Sequence, residues 1–584
     1  MTRTLFTMAL SLLLLGNLPV VSQPATVTLK VVETSDIHGY FFPYDFIEGR
    51  SLKGTLTRVH TYVERQRKEY GDRLLLIDNG DILQGQPCVY WSNYVMPDDE
   101  NLAASVINYM RYDAETVGNH DIETGHRVYD KWIREVRCPL LGANIVDTGN
   151  NLPYVRPYAV IEREVEGRKV RIVIIGMITP TIACWLNESL WQGLEFQEMV
   201  SCAKRWVRYV QQVEHPDLIF GLFHSGLNGG LVMENGNEED ATERVAQEVD
   251  GFDAIFFGHD HQVHNIMLKN PSGKDVLCID PSCYGRNVAE ATIELTYEGD
   301  QLVNKNIKGE IVDVRDEEID EKMMAHFQPQ IDHIKQYVGR RIGTFANAAT
   351  TRDSYFGNSA FTDFIHQLQL QITGADISLN APLSFDAKIE KGPVTVADMF
   401  KLYRFENQLY VVRMTGREIR GHLEMSYDLW ANTMTSPDDH LLQLNVDSRS
   451  DQQRMGFKNF TFNFDSASGI DYEVDVTKPD GQKVCILQMT DGTPFDEDKC
   501  YKVVMNSYRA NGGGDLIVHG AGIPKDSLNS RIIYQSELDL RHYLMEEIER
   551  MGTVSPKAAR NWKFVPEKWT VPAAKRDRKL LFRD

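Results

Sequence analysis

An apolar run that ends in a polar block reads Val27-Thr28-Leu29-Lys30-Val31-Val32-Glu33-Thr34-Ser35-Asp36-Ile37-His38. Four further polar blocks follow apolar runs in the first half of the chain: Gly80-Asp81, Gly118-Asn119-His120, His224 and Gly258-His259-Asp260-His261. The apolar runs resemble buried strands in length and composition. Because residues at the carboxyl ends of parallel strands meet at one edge of a sheet, we expect the five blocks to form one site.

The side chains in these blocks are of the types that bind divalent first-row metal ions. Carboxylate and amide oxygens and imidazole nitrogens all suit such ions. A single histidine or aspartate after a strand is more often a hydrogen-bonded structural residue than a ligand. Five such blocks at five strand ends, three of them containing glycine, instead indicate a two-metal hydrolytic site.

Strand-like stretches alternate with helical stretches up to about residue 310. This alternation predicts a layered α/β domain, which we place at residues 26–312. A length of 584 residues is compatible with three or four domains of ordinary size, or with two larger ones. The strands are expected at residues 27–33, 74–79, 115–118, 170–178, 218–224, 254–258, 276–280 and 291–295.

Charged, helix-forming residues replace the strands after the first domain. The stretch Glu317-Glu318-Ile319-Asp320-Glu321-Lys322 predicts a connecting helix, which we assign to residues 313–342. A second, smaller α/β domain is expected at residues 343–570. The basic residues 571–584 are expected to form a disordered end.

The formal net charge of -21 argues against a nucleic-acid polymer as partner. Phosphate backbones bind to basic grooves that release counterions, and this chain is acidic. A phosphate-bearing substrate would have to be drawn in locally, by metal. The acidic balance otherwise indicates a solvated, self-repelling surface.

The first 22 residues have the pattern of a signal peptide. Arg3 precedes an apolar run at residues 6–15, and Gly16 and Pro19 follow it, so we expect cleavage near Ser22. A buried amino-terminal helix is the alternative, although the run is too short to span a bilayer and sits at the extreme terminus. We therefore expect an exported protein, periplasmic or secreted, that is soluble after cleavage and not inserted in a membrane.

Eight cysteines are scattered along the chain without a CxxC pair, which argues against a zinc knuckle or a thioredoxin-like site. The closest neighbours in sequence are Cys278 with Cys283, and Cys485 with Cys500. Both disulfides, as in many exported proteins, and buried free thiols remain open at this stage.

The order of the five blocks resembles that of the calcineurin-like metallophosphoesterases, and the second half is similar to the carboxy-terminal domain of the 5'-nucleotidase family. Within that family the likeness is greatest to periplasmic 2',3'-cyclic-nucleotide 2'-phosphodiesterase/3'-nucleotidases. The resemblance implies a four-layer αββα first domain. In the second domain it rests on Tyr403-Arg404-Phe405-Glu406-Asn407, Asp471-Tyr472-Glu473-Val474-Asp475-Val476 and Asn506-Ser507-Tyr508-Arg509-Ala510-Asn511-Gly512-Gly513-Gly514.

The resemblance also implies a ligand set for two divalent ions, whether manganese, zinc, iron or cobalt. A shared carboxylate, Asp81, suits ions about 3.5 to 4 Å apart, which would activate a bridging hydroxide for attack on phosphorus. One ion would be held by Asp36, His38, Asp81 and His261, and the other by Asp81, Asn119, His224 and His259.

His120 is not needed as a ligand and is the expected catalytic residue, because it can stabilise charge on the phosphoryl or leaving oxygen. Relatives often place an aspartate three residues further on, where this chain has Glu123. Glu123 either accepts a hydrogen bond from His120 or is a solvated residue at the start of a helix.

Aromatic residues of the second domain are expected to bind a nucleobase by stacking, which tolerates any base. By the family pattern Phe405 and Tyr508 form the clamp, and Asn407 reaches the base or ribose. Tyr403 offers a further ring that could stack on the base. The alternative is that these aromatic residues, Tyr403 above all, belong to the core of the domain.

Two departures from the 5'-nucleotidase pattern concern the groups that grip a 5'-phosphate. An arginine is missing from Asn380-Ala381-Pro382-Leu383-Ser384-Phe385, and Gly514 stands where an aspartate is expected. Because a guanidinium binds phosphate bidentately, the absence of this arginine favours phosphate esters other than 5'-nucleotides. We expect a monomer that opens ribonucleoside 2',3'-cyclic phosphates to 3'-nucleotides and hydrolyses these to nucleoside and phosphate.

Two other functions remain open. A 5'-nucleotidase or nucleotide-sugar hydrolase would use the same metals with a different grip on phosphate. A non-catalytic nucleotide-binding protein would keep the fold without the chemistry. The chain has no P-loop, no GxGxxG motif after a strand and no GxSxG elbow, which argues against kinases, dehydrogenases and serine hydrolases.

Overall fold

Two six-stranded sheets form the centre of the first domain. The computed structural model describes residues 25–233, 236–403, 405–450 and 454–583, so the predicted signal peptide lies outside the described residues. The strands of the first sheet, in spatial order, are Gln301–Asp313, Asn287–Glu298, Ala25–Thr34, Leu74–Asp78, Ala114–Thr116 and Leu140–Leu141. Those of the second sheet are Val263–Lys269, Asp275–Pro281, Ala254–Phe257, Leu218–His224, Arg168–Ile178 and Tyr158–Val165. All eight strands predicted from the sequence are present.

The central strands of each sheet run parallel. In the first sheet Val31 lies opposite Leu75, and in the second sheet Ile174 lies opposite Phe220. Antiparallel strands are added only towards the edges. The carboxyl ends of the parallel strands in each sheet therefore point the same way, and the loops that follow them meet at one rim.

Apolar residues fill the space between the two sheets, and helices cover both outer faces. Leu29, Ile172 and Phe220 are fully buried between the sheets. Strands covered on both faces need nearly continuous apolar sequence, which is why their runs are so clear. The covering helices are Leu56–Tyr70, Leu102–Met110 and His126–Glu135 on the first sheet, and Met199–Val213 and Thr242–Glu248 on the second. The predicted four-layer αββα arrangement is confirmed.

One helix, Glu321–Gly339, connects the two domains. Asp320 caps it, because its carboxylate accepts the backbone N–H groups of Lys322 and Met323. Apolar residues three or four positions apart lie on one face of the helix. These pack against the helical layer of the first domain: Met323, Phe327, Ile331, Ile334 and Val338.

The second domain is a smaller mixture of strands and helices, as predicted. Its five-stranded sheet has the order Ser466–Ser468, Ile377–Asn380, Cys500–Asn506, Gln408–Thr415 and Ile532–Asp539. Two three-stranded sheets consist of Gly392–Thr395, Arg341–Phe345 and Thr553–Val554, and of Val484–Met489, Ile470–Asp475 and Trp562–Val565. The main helices are Ala360–Thr373, Val396–Leu402, Gly416–Trp430, Leu540–Met551 and Glu567–Phe582.

The prediction that residues 571–584 form a disordered end is wrong, because helix Glu567–Phe582 occupies nearly all of this segment. The carboxylate of Asp577 accepts the backbone N–H of Leu442 at 2.9 Å. The basic residues that suggested a tail, such as Lys575 and Lys579, lie on the exposed face. The opposite face packs into the domain core through Ala573, Asp577 and Leu581.

Tyr90 of the first domain packs into the core of the second. Its ring centroid lies 5.6 Å from that of Phe400, and its hydroxyl donates to Asp539 at 3.1 Å. The guanidinium of Arg541 is buried against both rings, 3.9 Å from the centroid of Phe400 and 5.0 Å from that of Tyr90. Desolvated cation–π contacts of this kind contribute about 2 kcal/mol. The contact fixes the second domain beside the loop that carries Asp81.

All eight cysteines are free in the structure. Cys278 and Cys283 are buried in the first domain, and Cys485 and Cys500 are exposed on the second. The free-thiol alternative is therefore the one that the structure contains.

The last helix yields a matched pair of stability tests. We expect Leu581→Ala to lower the free energy of unfolding by about 2 to 3 kcal/mol, because it removes apolar atoms from the core and leaves a cavity. Leu580→Ala is the control, since Leu580 is 37% exposed whereas Leu581 is 9% exposed, and a change of about 0.5 kcal/mol or less is expected there. Urea unfolding followed by tryptophan fluorescence measures both. Equal effects of the two substitutions would mean that the helix is not docked.

Candidate metal centre

Five residues of the predicted site have left-handed backbones. The φ angles are 51° at Asp36, 48° at His38, 57° at Asp81, 85° at His259 and 59° at His261. A non-glycine residue in this region costs roughly 1 to 2 kcal/mol. Such strain persists only where the surrounding structure enforces it, and it is concentrated at functional sites. Its accumulation in three loops of one rim marks that rim as the site.

Two glycines allow carboxylates to pack directly on the backbone. A Cβ added to Gly118 would lie 2.1 Å from Oδ1 of Asp81. A Cβ added to Gly258 would lie 1.9 Å from Oγ of Ser35 and 2.6 Å from Oδ2 of Asp36. Glycine is therefore required at both positions because of space, in the blocks where the sequence analysis noted it.

The first group of ligand-type side chains, here named the Asp36 cluster, consists of Asp36, His38 and His261. Nε2 of His261 lies 3.2 Å from Oδ1 of Asp36 and 3.2 Å from Nε2 of His38. Asp36 and His38 follow a strand of the first sheet, whereas His261 follows a strand of the second. The cluster therefore joins the two sheets.

The second group, here named the His224 cluster, consists of Asp81, His224 and His259. Nε2 of His224 lies 3.2 Å from Oδ2 of Asp81 and 3.0 Å from Oδ1 of Asn119. The ring of His259 is 5.2 Å from that of His224, centroid to centroid. All seven residues predicted as metal ligands thus lie in one of the two clusters or beside it.

Oxygen Oδ2 of Asp81 faces both clusters, at 3.2 Å from Nε2 of His224 and 3.8 Å from Nε2 of His38. This oxygen and Oδ1 of Asp36 are buried and accept no well-aligned hydrogen bond. An unsatisfied buried carboxylate oxygen costs more than the roughly 1 to 3 kcal/mol of a neutral group. A divalent cation would satisfy both oxygens, and the mixed oxygen and nitrogen donors suit such ions.

Backbone carbonyls orient two of the histidines. Nδ1 of His38 lies 3.1 Å from the carbonyl oxygen of Gln84, and Nδ1 of His224 lies 2.6 Å from that of Asn79. A ring nitrogen that faces a carbonyl carries the proton, so Nε2 of each ring is left to face its cluster.

Asp121 was missed by the sequence analysis and holds the loop that carries Asp81. Its carboxylate accepts the backbone N–H groups of Asp81, Ile82 and Leu83 at 2.9 Å and that of Gly118 at 2.8 Å. The available signal was its position directly after His120, in a short helix whose end it caps.

His120 and Glu123 form a pair beside the clusters. Nδ1 of His120 lies 2.5 Å from Oε2 of Glu123, and the backbone N–H of His120 donates to Oδ1 of Asp81 at 2.8 Å. Burial lowers the pKa of His120, but the charges of Asp81 and Glu123 outweigh this effect and raise the pKa to about 9. Of the two alternatives for Glu123, the structure contains the hydrogen-bonded one.

The expectation that Tyr403 contacts the substrate is wrong. Its side chain is fully buried in the core of the second domain, and its hydroxyl donates to Oδ1 of Asn407 at 3.3 Å. A ring enclosed on both faces by protein has no face left for a base. Asn407 is also buried, and Phe405 is partly buried against the same core cluster.

Tyr508 is only partly buried and lies in the short helix Ser507–Ala510. Gly513 lies against its ring, because a Cβ there would be 2.5 Å from the ring atoms. Phe462, which the sequence analysis missed, meets the ring edge-on at a centroid distance of 6.1 Å. Burial raises the pKa of the Tyr508 phenol, and the charge of Glu239 in the first domain adds to the increase. The Tyr508 phenol therefore lies within electrostatic range of Glu239.

Glu406 is a carboxylate of the second domain whose charge interacts with the His120–Glu123 pair. It is nearly buried, and Nη1 of Arg541 lies 3.7 Å from its Oε1. Burial raises the pKa of Glu406 to about 8; Arg541 opposes this, and the negative charge of Glu123 adds to it. The Phe405-Glu406-Asn407 motif is therefore within electrostatic range of His120 and Glu123.

Two family models match the chain. Calcineurin-like phosphoesterase matches residues 29–263, and 5'-nucleotidase, C-terminal domain matches residues 341–519. The first match contains both clusters, and the second contains Tyr508. Fold and site together define a metal-dependent phosphoric ester hydrolase. The chain thus joins a domain of the calcineurin-like phosphoesterase family to a 5'-nucleotidase carboxy-terminal domain.

Curated relatives are about one-quarter identical to the chain. A 2',3'-cyclic-nucleotide 2'-phosphodiesterase/3'-nucleotidase of Haemophilus influenzae is 26% identical over 92% of this chain and 88% of that protein. The trifunctional nucleotide phosphoesterase protein YfkN of Bacillus subtilis is 25% identical over 92% of this chain. This chain spans 39% of the length of YfkN.

Solved structures share the two-domain fold. A protein from Staphylococcus aureus described as a 5'-nucleotidase has a TM-score of 0.74 at 22% identity, covering 92% of this chain and 99% of that one. A 5'-nucleotidase precursor from Thermus thermophilus has a TM-score of 0.60 at 21% identity, covering 92% and 100%.

The space that Gly118 leaves for the carboxylate of Asp81 can be tested by substitution. We expect Gly118→Ala to displace the carboxylate of Asp81, so that the folded variant binds divalent metal more weakly. Phosphoesterase activity should fall on the order of a hundredfold or more, because bound metal stabilises the transition state by several kcal/mol. Activity on bis(4-nitrophenyl) phosphate and metal content after dialysis measure the two effects.

Gly339→Ala is the matched control, because a Cβ added to Gly339 meets nothing within 4 Å. It should leave both quantities unchanged. A fully active, metal-replete Gly118→Ala protein would show that Asp81 does not depend on this contact.

Proposed function

We propose that the protein is an exported dinuclear-metal phosphohydrolase. Its substrates would be ribonucleoside 2',3'-cyclic phosphates, which it opens to 3'-nucleotides, and these 3'-nucleotides, which it hydrolyses to nucleoside and phosphate. The observation that carries the proposal is the position of Oδ2 of Asp81, buried without a hydrogen bond and facing a histidine of each cluster. A carboxylate in that position suits two ions that share it.

The Asp36 cluster with Asp81 would hold one ion, and the His224 cluster with Asn119 the other. When bound, the ions would supply Lewis-acid polarisation of the phosphoryl oxygens and lower the pKa of water. Manganese, zinc, iron and cobalt all suit these ligands. The backbone of the strained loops holds the ligands in place, so little reorganisation is needed during the reaction.

His120 would stabilise negative charge on the substrate. Its Nδ1 faces Glu123, which leaves Nε2 for a phosphoryl or leaving oxygen. Glu123 keeps the imidazole in one orientation and favours its protonated form. The ring centroid of His120 lies 5.3 Å from that of His38, so the charged ring borders the Asp36 cluster.

The second domain supports the preference for cyclic and 3'-phosphates. The segment at residues 380–385 carries no cation, and Phe385 packs against Phe582 at a centroid distance of 5.0 Å. Arg509 is buried, and its guanidinium donates to Asp465 and to the carbonyl of Phe462. Neither feature offers a guanidinium to a 5'-phosphate. Tyr508 and Phe405 would stack on the base, which fits broad base specificity.

Export is supported by the pattern of residues 1–22. None of the helices in the described part of the chain is long and apolar enough to cross a membrane. Amino-terminal sequencing of the protein recovered outside the cytoplasm would show residue 23 first if cleavage occurs after Ser22. An intact amino terminus would contradict export by this route.

Relative rates on three nucleotides test the proposed substrate. We expect the metal-loaded protein to release nucleoside and phosphate from 2',3'-cyclic AMP and 3'-AMP, with 5'-AMP a poor substrate. Asp81→Asn should lower the first two rates on the order of a thousandfold, because a shared ligand worth several kcal/mol is weakened. A preference for 5'-AMP would assign a 5'-nucleotidase instead. Nucleotide binding without turnover of any of the three would assign a binding protein.

The contributions of His120 and Glu123 to kcat can be tested separately from metal binding. We expect His120→Asn to lower kcat by about 100- to 10,000-fold. Glu123→Gln should lower it by roughly 10- to 150-fold, because it removes a charged hydrogen bond of about 1.5 to 3 kcal/mol. Both proteins should bind metal normally, which separates them from ligand variants.

The control is the pair His126 and Asp130, also a histidine and a carboxylate close in sequence, in which Nδ1 of His126 lies 3.3 Å from Oδ2 of Asp130. His126→Asn should leave kcat unchanged. A Glu123→Gln protein with wild-type kcat would remove Glu123 from the catalytic machinery.

A further inference from the structure

Glu239 is a nearly buried carboxylate beside the His224 cluster that the predicted site did not include. It lies on the hairpin formed by Gly229–Val232 and Glu238–Asp240, and its side chain is 18% exposed. Oε1 lies 3.1 Å from Nε2 of His259, and Oε2 accepts the backbone N–H of Leu231 at 2.6 Å. Both oxygens therefore have a partner, one in the hairpin and one in the metal centre.

This contact decides which nitrogen of His259 faces the cluster. An imidazole has two ring nitrogens, and Nε2 is occupied by Glu239. Nδ1 is then the nitrogen left to meet Asp81 and His224. The ring of Trp185 stacks on His259 at a centroid distance of 5.8 Å and an interplanar angle of 23°, which restricts the ring further.

The partner of His259 differs in charge from those of His38 and His224. Those two rings face neutral carbonyl oxygens through Nδ1. His259 faces a carboxylate, and a carboxylate partner raises the basicity of an imidazole ligand as well as orienting it. The carboxylate should therefore influence metal binding at the His224 cluster only, because His259 belongs to that cluster alone.

The hairpin is anchored to the residues that directly follow His224. Oγ of Ser225 donates to the carbonyl oxygen of Glu239 at 2.8 Å, and the backbone N–H of Gly226 donates to Oδ1 of Asp240 at 2.8 Å. Gly230 lies against the Glu239 side chain, since a Cβ there would be 2.6 Å from Oε2. The carboxylate is therefore held relative to the same strand end that carries a ligand.

We propose that Glu239 is a positioning residue of the metal centre: it holds His259 with Nδ1 towards the ion and sets the affinity of the His224 cluster for a divalent cation. The proposal rests on the dinuclear function proposed above. It makes the hairpin that carries Glu239 part of the metal centre.

Titration of the metal-free protein with Mn²⁺ by isothermal calorimetry tests the proposal without substrate. We expect wild type to bind two ions. Glu239→Ala should bind one ion as wild type does and the other about 10- to 100-fold more weakly, as for removal of other partners of ligating histidines. Glu239→Gln should be intermediate, because its amide oxygen still accepts from His259. Gly230→Ala should reproduce the defect, because it displaces the carboxylate without removing it.

Glu238→Gln is the matched control: Glu238 neighbours Glu239 on the same strand and pairs with Arg244 at 3.3 Å, so Mn²⁺ binding should not change. Equal melting temperatures of the metal-free proteins would show that the fold is retained. Wild-type affinity for both ions in Glu239→Ala, or equal weakening of both, would overturn the role of Glu239. Fewer than two ions bound by wild type would instead overturn the dinuclear function, and this inference with it.

Discussion

The carboxylate of Asp81 is the interaction on which the rest of the centre depends. Oδ1 accepts the backbone N–H of His120 at 2.8 Å, and Oδ2 faces both clusters. Its loop is held by Asp121, and Gly118 leaves the space that it occupies. One buried side chain thus connects two strand ends of the first sheet to ligands from the second sheet. A residue in this position has to be acidic, short and firmly held.

The arrangement is unfavourable without positive charge. Buried carboxylates without full hydrogen bonding and left-handed non-glycine residues each cost free energy. Asp36 and Asp81 combine both features, since each has a positive φ and an unsatisfied oxygen. The two close-packed sheets supply the apolar burial that offsets this cost. Divalent cations would remove the electrostatic part of it, so fold and metal binding are coupled.

The position of the second domain against the first decides which of its residues lie near the two clusters. Tyr90 and Arg541 join the two domains through buried ring contacts. This contact brings Glu406 into electrostatic range of the His120–Glu123 pair, and Tyr508 into electrostatic range of Glu239. In the proposed function, metal binding would come from the first domain and base stacking from the second, so the two domains would contribute separately to the choice of ester.

The sequence by itself determined the α/β class, the eight central strands and the residues gathered at the rim, because buried parallel strands need continuous apolar runs and ligands must follow them. Edge strands such as Gln301–Asp313 were not predictable, because exposed edges tolerate polar residues. The helix at residues 567–582 was hidden for a related reason: its charged face dominates the composition. The burial of Tyr403 and the contact between Glu239 and His259 were decided by the tertiary structure alone. Contacts between distant segments depend on packing, which local sequence patterns do not predict.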